Sequence, residues 1–225
     1  MTNAYVRHFL QLKCAGDVLN AVTPVNNCHK EITEAMAVVK ELKRIVFANK
    51  KIKYHLIDLC AGNALSSVLA AHLMPLVSTT AIDRRIPPRR HYDIVRNFEY
   101  LQEDIMVGGF DEFLDCKCSG QNFIIISTHP CGELANTIAD IYNQSNASHL
   151  VIMPCCLSSD KSFKIDIKAM EAKGVPPYVL AKLSKYDKWL WNLAMKVQGK
   201  FRRDLNCTSK CNGIVTAHKT YANEL

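Results

Sequence analysis

The sequence predicts an α/β fold: a doubly wound, mostly parallel seven-stranded sheet with a helical N-terminal extension. Three observations carry that reading. From about residue 51 onward, short apolar runs alternate with segments of helical periodicity. Two of the runs, Phe123–Ile126 and His149–Met153, do not alternate polar with apolar positions, as expected of parallel strands buried on both faces. The chain has 225 residues, 48% of them hydrophobic and 22% charged, which is enough for one core without disulfide support.

Each element has its own signal. Residues 31–48 carry apolar side chains at 32, 35, 36, 39, 42, 45 and 46, the stripe of an amphipathic helix, and residues 1–50 form the helical extension. The domain proper is expected over 51–225. Its strands are expected at 55–60, 77–82, 100–105, 123–127, 149–153, 200–206 and 213–218. Helices are expected at 64–74, 133–144, 164–172 and 178–199.

Composition excludes several classes. No apolar run approaches the ~20 residues of a membrane span, since the most apolar stretch, 64–82, is broken by serines, His72 and Pro75. The N-terminus lacks the apolar core of a signal peptide. Ten cysteines in a chain this long are too sparse for a disulfide scaffold, so reduced thiols in the cytoplasm or nucleus are expected. Cys116-x-Cys118, Cys155-Cys156 and Cys207-x3-Cys211 lack the spacing of a structural zinc site, and no metal is expected. Formal net charge is +7, and the segment 175–225 carries nine Lys or Arg against three acids. That excess suits an anionic partner or a solvated basic face.

In a doubly wound sheet the ligand lies beyond the carboxyl ends of the strands. The first strand ends in Asp58-Leu59-Cys60-Ala61-Gly62-Asn63-Ala64, where small residues let the backbone approach a ligand. The second ends at Asp83, 25 residues after Asp58, placed to hydrogen-bond ribose hydroxyls. Arg84 follows it. Glu103, Asp104 and Ile105 follow the third strand, and Thr128 and His129 the fourth. A dinucleotide fingerprint would need glycines at 60, 62 and 65, and only Gly62 is present.

This D-x-C-x-G-x-A turn, together with Asp83 and Asp104, resembles the class I S-adenosylmethionine-dependent methyltransferases. The resemblance implies a Rossmann-like sheet and S-adenosylmethionine as cofactor. Asp58 would face its ammonium group, Asp83 its ribose and Asp104 its adenine amine. His129-Pro130-Cys131-Gly132 after one strand and Pro154-Cys155-Cys156 after the next resemble the group containing the acceptor-stem tRNA 2′-O-methyltransferases and their less characterised H-x-C-G relatives. The sequence departs from the tRNA enzymes where Leu157-Ser158-Ser159-Asp160 follows the cysteine pair. By this resemblance the favoured substrate is an RNA 2′-hydroxyl, with the acceptor near His129, Pro130, Cys131 and Gly132.

A hydroxyl needs its proton taken, which His129 can do at neutral pH, unless its ring simply packs in the turn. Pro130-Cys131 also resembles the Pro-Cys of cytosine C5 methyltransferases, where a thiolate attacks the ring, and Cys155 or Cys156 could serve likewise. A small-molecule or protein methyltransferase and a non-catalytic cofactor-binding module remain as further alternatives. Arg84, Arg85, Arg89 and Arg90 would line the substrate rim, since guanidinium forks suit phosphate. With the basic C-terminal segment and Tyr178, Tyr186, Trp189 and Trp191 they could form an RNA surface.

Overall fold

The computed structural model describes residues 3–21, 27–88, 90–119, 121–155 and 166–219. Helices α1 (Ala4–Leu10), α2 (Ala15–Ala21) and α3 (Cys28–Ala48) precede the sheet. Its strands are β1 (Tyr54–Leu59), β2 (Ser78–Asp83), β3 (Phe98–Gln102), β4 (Asn122–Thr128), β5 (His149–Met153), β6 (Lys200–Arg203) and β7 (Gly213–His218). The intervening helices are α4 (Leu65–Leu73), α5 (Phe110–Lys117), α6 (Glu133–Gln144), α7 (Ile167–Ala172), α8 (Pro177–Lys182) and α9 (Lys185–Lys196). The strand order is β3-β2-β1-β4-β5-β7-β6, with β7 antiparallel to both of its neighbours. The order reverses between β1 and β4, which makes the carboxyl ends of those strands the switch-point crevice.

Both faces of the sheet are covered. Ile124 and Ile126 of β4 pack with the layer formed by α1 to α4, whereas Phe123 and Ile125 pack with α5, α6 and α9. That double coverage explains the lack of polar alternation in β4 and β5. Helix α3 is buried along much of its length, including the polar residues Thr33, Glu34 and Glu41. Ile32, Ala35, Val39, Leu42 and Val46 share one core cluster with α4 and the sheet, so α3 forms part of the central layer.

Three expected elements differ. The third strand, expected over 100–105, is β3 at Phe98–Gln102, so Glu103, Asp104 and Ile105 lie beyond its end. The single helix expected over 178–199 is two helices, because Leu183 is extended and Ser184 starts a new N-terminus. The Ser184 hydroxyl oxygen accepts from the Asp187 N–H at 3.1 Å and the hydroxyl donates to Asp187 Oδ2 at 2.5 Å. The strand expected over 200–206 stops at Arg203: the Asp204 N–H still donates to the Asn212 carbonyl, but the Asp204 carboxylate accepts from the Asn206 N–H and the chain turns. Helix α5 had no counterpart among the expected elements. It is too short to display helical periodicity, and Gly109 in a left-handed conformation introduces it. Residues 164 and 165, expected at the start of α7, lie outside the described residues.

Candidate functional site

A cavity of about 580 Å³ opens at the carboxyl ends of β1, β2 and β4. All twelve positions expected around the cofactor border it: Asp58, Cys60–Asn63, Asp83, Arg84, Glu103–Ile105, Thr128 and His129. The turn after β1 has Cys60 at φ +57°, Gly62 at +55° and Ala64 at +58°. Two of those three are not glycine, so this turn stores backbone strain. Tertiary contacts hold it. The Gly62 N–H donates to Asp83 Oδ2 at 3.0 Å, and the Tyr100 hydroxyl donates to the carbonyls of Gly62 and Arg85. Asn63 Oδ1 accepts from the Leu65 N–H at the start of α4, while its amide donates to Glu31 Oε2 at 2.7 Å.

Asp58 is the electrostatic centre of the site. It is 1% exposed, and the Ser67 hydroxyl donates to its Oδ2 at 2.6 Å. Among the described residues Oδ1 has no hydrogen-bond partner. Burial pushes the carboxyl up to about 7; the Ser67 hydrogen bond acts downward and the Asp83 charge upward. A cation entering the cavity would relieve that desolvation. The Cys60 thiol is pushed up to about 12, first by burial and then by the charges of Asp83, Asp58 and Asp104, and is therefore inert at neutral pH.

After β4, His129 takes φ +67°, with its N–H donated to the Met153 carbonyl at 2.9 Å. His129 Nε2 lies 2.5 Å from Oε2 of Glu34, a fully buried residue of α3. Cys131 borders the cavity, and its Sγ lies 2.7 Å from Sγ of Cys155.

The expected substrate positions divide. Arg85 borders the cavity. Arg90 is exposed and does not border it, and Arg89 and Cys156 lie outside the described residues. Pro130 and Gly132 do not border it either. Pro130 is buried, and Gly132, at φ +58° and ψ −117°, makes the turn that precedes α6.

Several of the C-terminal residues expected to form an RNA surface have partners within the fold. Trp189 is fully buried, Trp191 packs edge-on against Phe201, and Tyr186 donates its hydroxyl to the Pro154 carbonyl. Of the four aromatics Tyr178 is 69% exposed and Trp191 half-buried. Arg202 is ion-paired with Glu41 and Asp204, Arg203 with Asp187, and Lys196 with Asp140. Lys219 donates to the carbonyls of Tyr142, Asn143 and Ser145 at the end of α6. Much of the basic C-terminal charge thus holds the fold together. It also sits far from the β2 rim: β7 lies four strand positions from β2, about 19 Å across the sheet.

Sequence reasoning missed Glu31 and Ala35, which bring α3 to the cavity wall, and also Glu34, Tyr100 and Met106. The spacing of 31, 34 and 35 on one helical face was the available signal, but nothing local indicated which strand end that face would meet. Among the described residues no three His, Cys, Asp or Glu side chains converge as a metal site requires, and no helix is long and apolar enough to cross a membrane.

Comparison with known proteins agrees with this geometry. No curated protein matches the chain. Among solved structures, the CurJ carbon methyltransferase is similar with a TM-score of 0.53 at 13% identity, over 85% of this chain and 55% of that one. This chain therefore spans about half of that protein. The magnesium protoporphyrin IX methyltransferase of Synechocystis PCC 6803, solved with bound SAH, is similar at 10% identity over 96% and 98% of the two chains, with a TM-score of 0.49. A family model described as a methyltransferase domain matches residues 28–159, more than half of the chain and including α3. With the strand order and the switch-point cavity already in place, that match makes this chain a member of the methyltransferase-domain family.

Proposed function

We propose that the chain is an S-adenosylmethionine-dependent methyltransferase that acts on an RNA 2′-hydroxyl. The single observation that carries the cofactor assignment is Asp58: a buried carboxylate with one unpartnered oxygen, bordering a cavity of nucleoside size. The donor set fits the cofactor. Asp58 would hold the ammonium group, Asp83 the ribose hydroxyls, Asp104 the adenine amine and Ile105 the adenine face. The turn from Cys60 to Asn63 would pass close beneath the ligand, and Gly62 has open space where a side chain would begin. When bound, the cofactor supplies an electrophilic methyl group. In this reading residues 51–225 are the catalytic domain, and the segment 1–50 lends it one cavity wall through α3.

The RNA assignment rests on the H-x-C-G turn and on the arginine rim. Arg84, Arg85 and Arg90 are exposed, and among the described residues none is in an ion pair. Unpaired guanidinium groups beside a nucleoside site suit phosphate. Such an acceptor, like the reduced thiols, suits the cytoplasm or nucleus. The test is transfer of labelled methyl groups to separated RNA, protein and small-molecule fractions. Label in RNA supports the proposal, and label confined to another fraction replaces its substrate. Cofactor binding without any transfer would leave a binding module. RNA affinity should also fall linearly with salt on logarithmic axes, by roughly 0.7–0.9 per phosphate contact. Replacing Arg85 and Arg90 with alanine is expected to flatten that slope and to leave cofactor affinity unchanged. A slope unaltered by the double substitution would remove the arginines from the substrate surface.

One observation favours a second reading. The approach of Cys131 and Cys155 places two thiols together beside the cavity, as cytosine C5 methylation through a covalent cysteine would use. RNA containing 5-fluorocytosine distinguishes the two: a stable protein–RNA adduct that is lost in Cys131→Ser supports C5 chemistry, and its absence supports the 2′-hydroxyl.

A further inference from the structure

Resting on the methyltransferase reading, we infer that Glu34 is a positioning residue: its buried carboxylate holds the Nε2–H tautomer of His129, leaving Nδ1 as the proton acceptor for the incoming hydroxyl. The two residues are 95 positions apart and come from different layers, α3 and the end of β4, yet their side chains meet at 2.5 Å. Glu34 is fully buried in a helix whose neighbouring positions, Ala35 and Val38, belong to the apolar core. A buried carboxylate is costly unless it is paired, so an apolar residue would fill this position more favourably if packing were the only requirement. Its other oxygen, Oε1, has Lys30 Nζ at 3.5 Å and no hydrogen-bond partner among the described residues.

His129 borders the cavity, whereas Glu34 does not. The imidazole is thus placed between a buried acid and the reaction space. A carboxylate can only accept, so the bond assigns the ring proton to Nε2. The ring's remaining nitrogen carries the lone pair. The strained φ of +67° at His129 points the same way, since unfavourable backbone persists where the surroundings over-determine it. In the transfer, the acceptor oxygen forms its bond to the methyl carbon as the carbon–sulfur bond breaks, and that bond's electron pair stays on sulfur. The hydroxyl proton passes to His129 Nδ1. Glu34 stabilises the resulting imidazolium, which then loses its proton to water.

Side-chain nitrogen NMR of the full-length chain at pH 8 tests this without a substrate, with His129→Gln identifying the resonances. The expected result is a single neutral tautomer, protonated at Nε2 and unprotonated at Nδ1. In Glu34→Gln that preference should be lost to a mixture of tautomers, and in Glu34→Asp, whose shorter side chain withdraws the carboxylate, it should weaken. A ring protonated at Nδ1, a ring doubly protonated at pH 8, or a tautomer unchanged in Glu34→Gln would overturn the inference. If the variants fail to fold, the tautomer of the unsubstituted chain decides alone. Titrating the same samples with S-adenosylmethionine separates the two levels. Binding together with the wrong tautomer defeats only the role of Glu34, and no binding by the unsubstituted chain defeats the cofactor assignment on which it rests.

Discussion

Replacing Asp58 with asparagine is expected to stabilise the ligand-free chain at pH 8 by on the order of 4 kcal/mol while removing most of its affinity for S-adenosylmethionine. The folded chain holds the Asp58 carboxyl at about 7, against an ordinary value of 3.8. Between those two values the folded state binds a proton that the unfolded state has released. Stability from this group is therefore fully present below about pH 4 and is lost as the pH rises through about 7. The gap is about three pH units, each worth about 1.4 kcal/mol. Asparagine carries no charge at any of these pH values and can still accept from the Ser67 hydroxyl, so the variant avoids the loss. Urea unfolding at pH 5 and pH 8 spans about two of those three units, a difference of roughly 3 kcal/mol. Equal stability differences between the two chains at both pH values would show that Asp58 is not held neutral.

The same carboxylate links cofactor affinity to pH. An ammonium group prefers the ionised form, so below about pH 7 binding must be accompanied by loss of the Asp58 proton. Affinity of the unsubstituted chain should then weaken as the pH falls, approaching tenfold per unit, and level off above pH 7. Calorimetric titration between pH 6 and pH 8.5 reads this directly. In Asp58→Asn that dependence should vanish along with most of the affinity.

Replacing Asp83 with alanine is expected to weaken S-adenosylmethionine binding by about ten- to hundredfold, the loss of one or two charge-assisted hydrogen bonds worth roughly 1–3 kcal/mol. The geometry gives this residue two tasks. Its Oδ2 accepts from the Gly62 N–H and its Oδ1 from the Arg85 N–H, both at 3.0 Å, so it fastens the strained turn after β1 to the end of β2. Each carboxylate oxygen keeps a further lone pair for a ribose hydroxyl. Asparagine at this position retains one acceptor and should fall between the two in affinity. An alanine variant that folds and binds with unchanged affinity would remove Asp83 from the cofactor site.

The strands, their direction and the cofactor rim were legible in the sequence for a topological reason. Unalternating runs such as Phe123–Ile126 announce double burial, and parallel strands place their carboxyl ends on one edge. Reading the residues that follow each run therefore reached Asp58, Asp83, Asp104 and His129 without any knowledge of packing. What depends on packing stayed hidden. Only the tertiary structure brings α3 against the end of β4, so that Glu34 meets His129. It also brings the Tyr100 hydroxyl from β3 onto the turn at Gly62. The same holds for charge. Composition registers a basic C-terminus, but whether Arg202 and Arg203 face solvent or acids is set by the α3 and α9 residues packed beside them, Glu41 and Asp187. Strand-end positions follow from chain direction alone, whereas side-chain pairing across layers follows from the rotation and depth of helices, which local sequence does not determine.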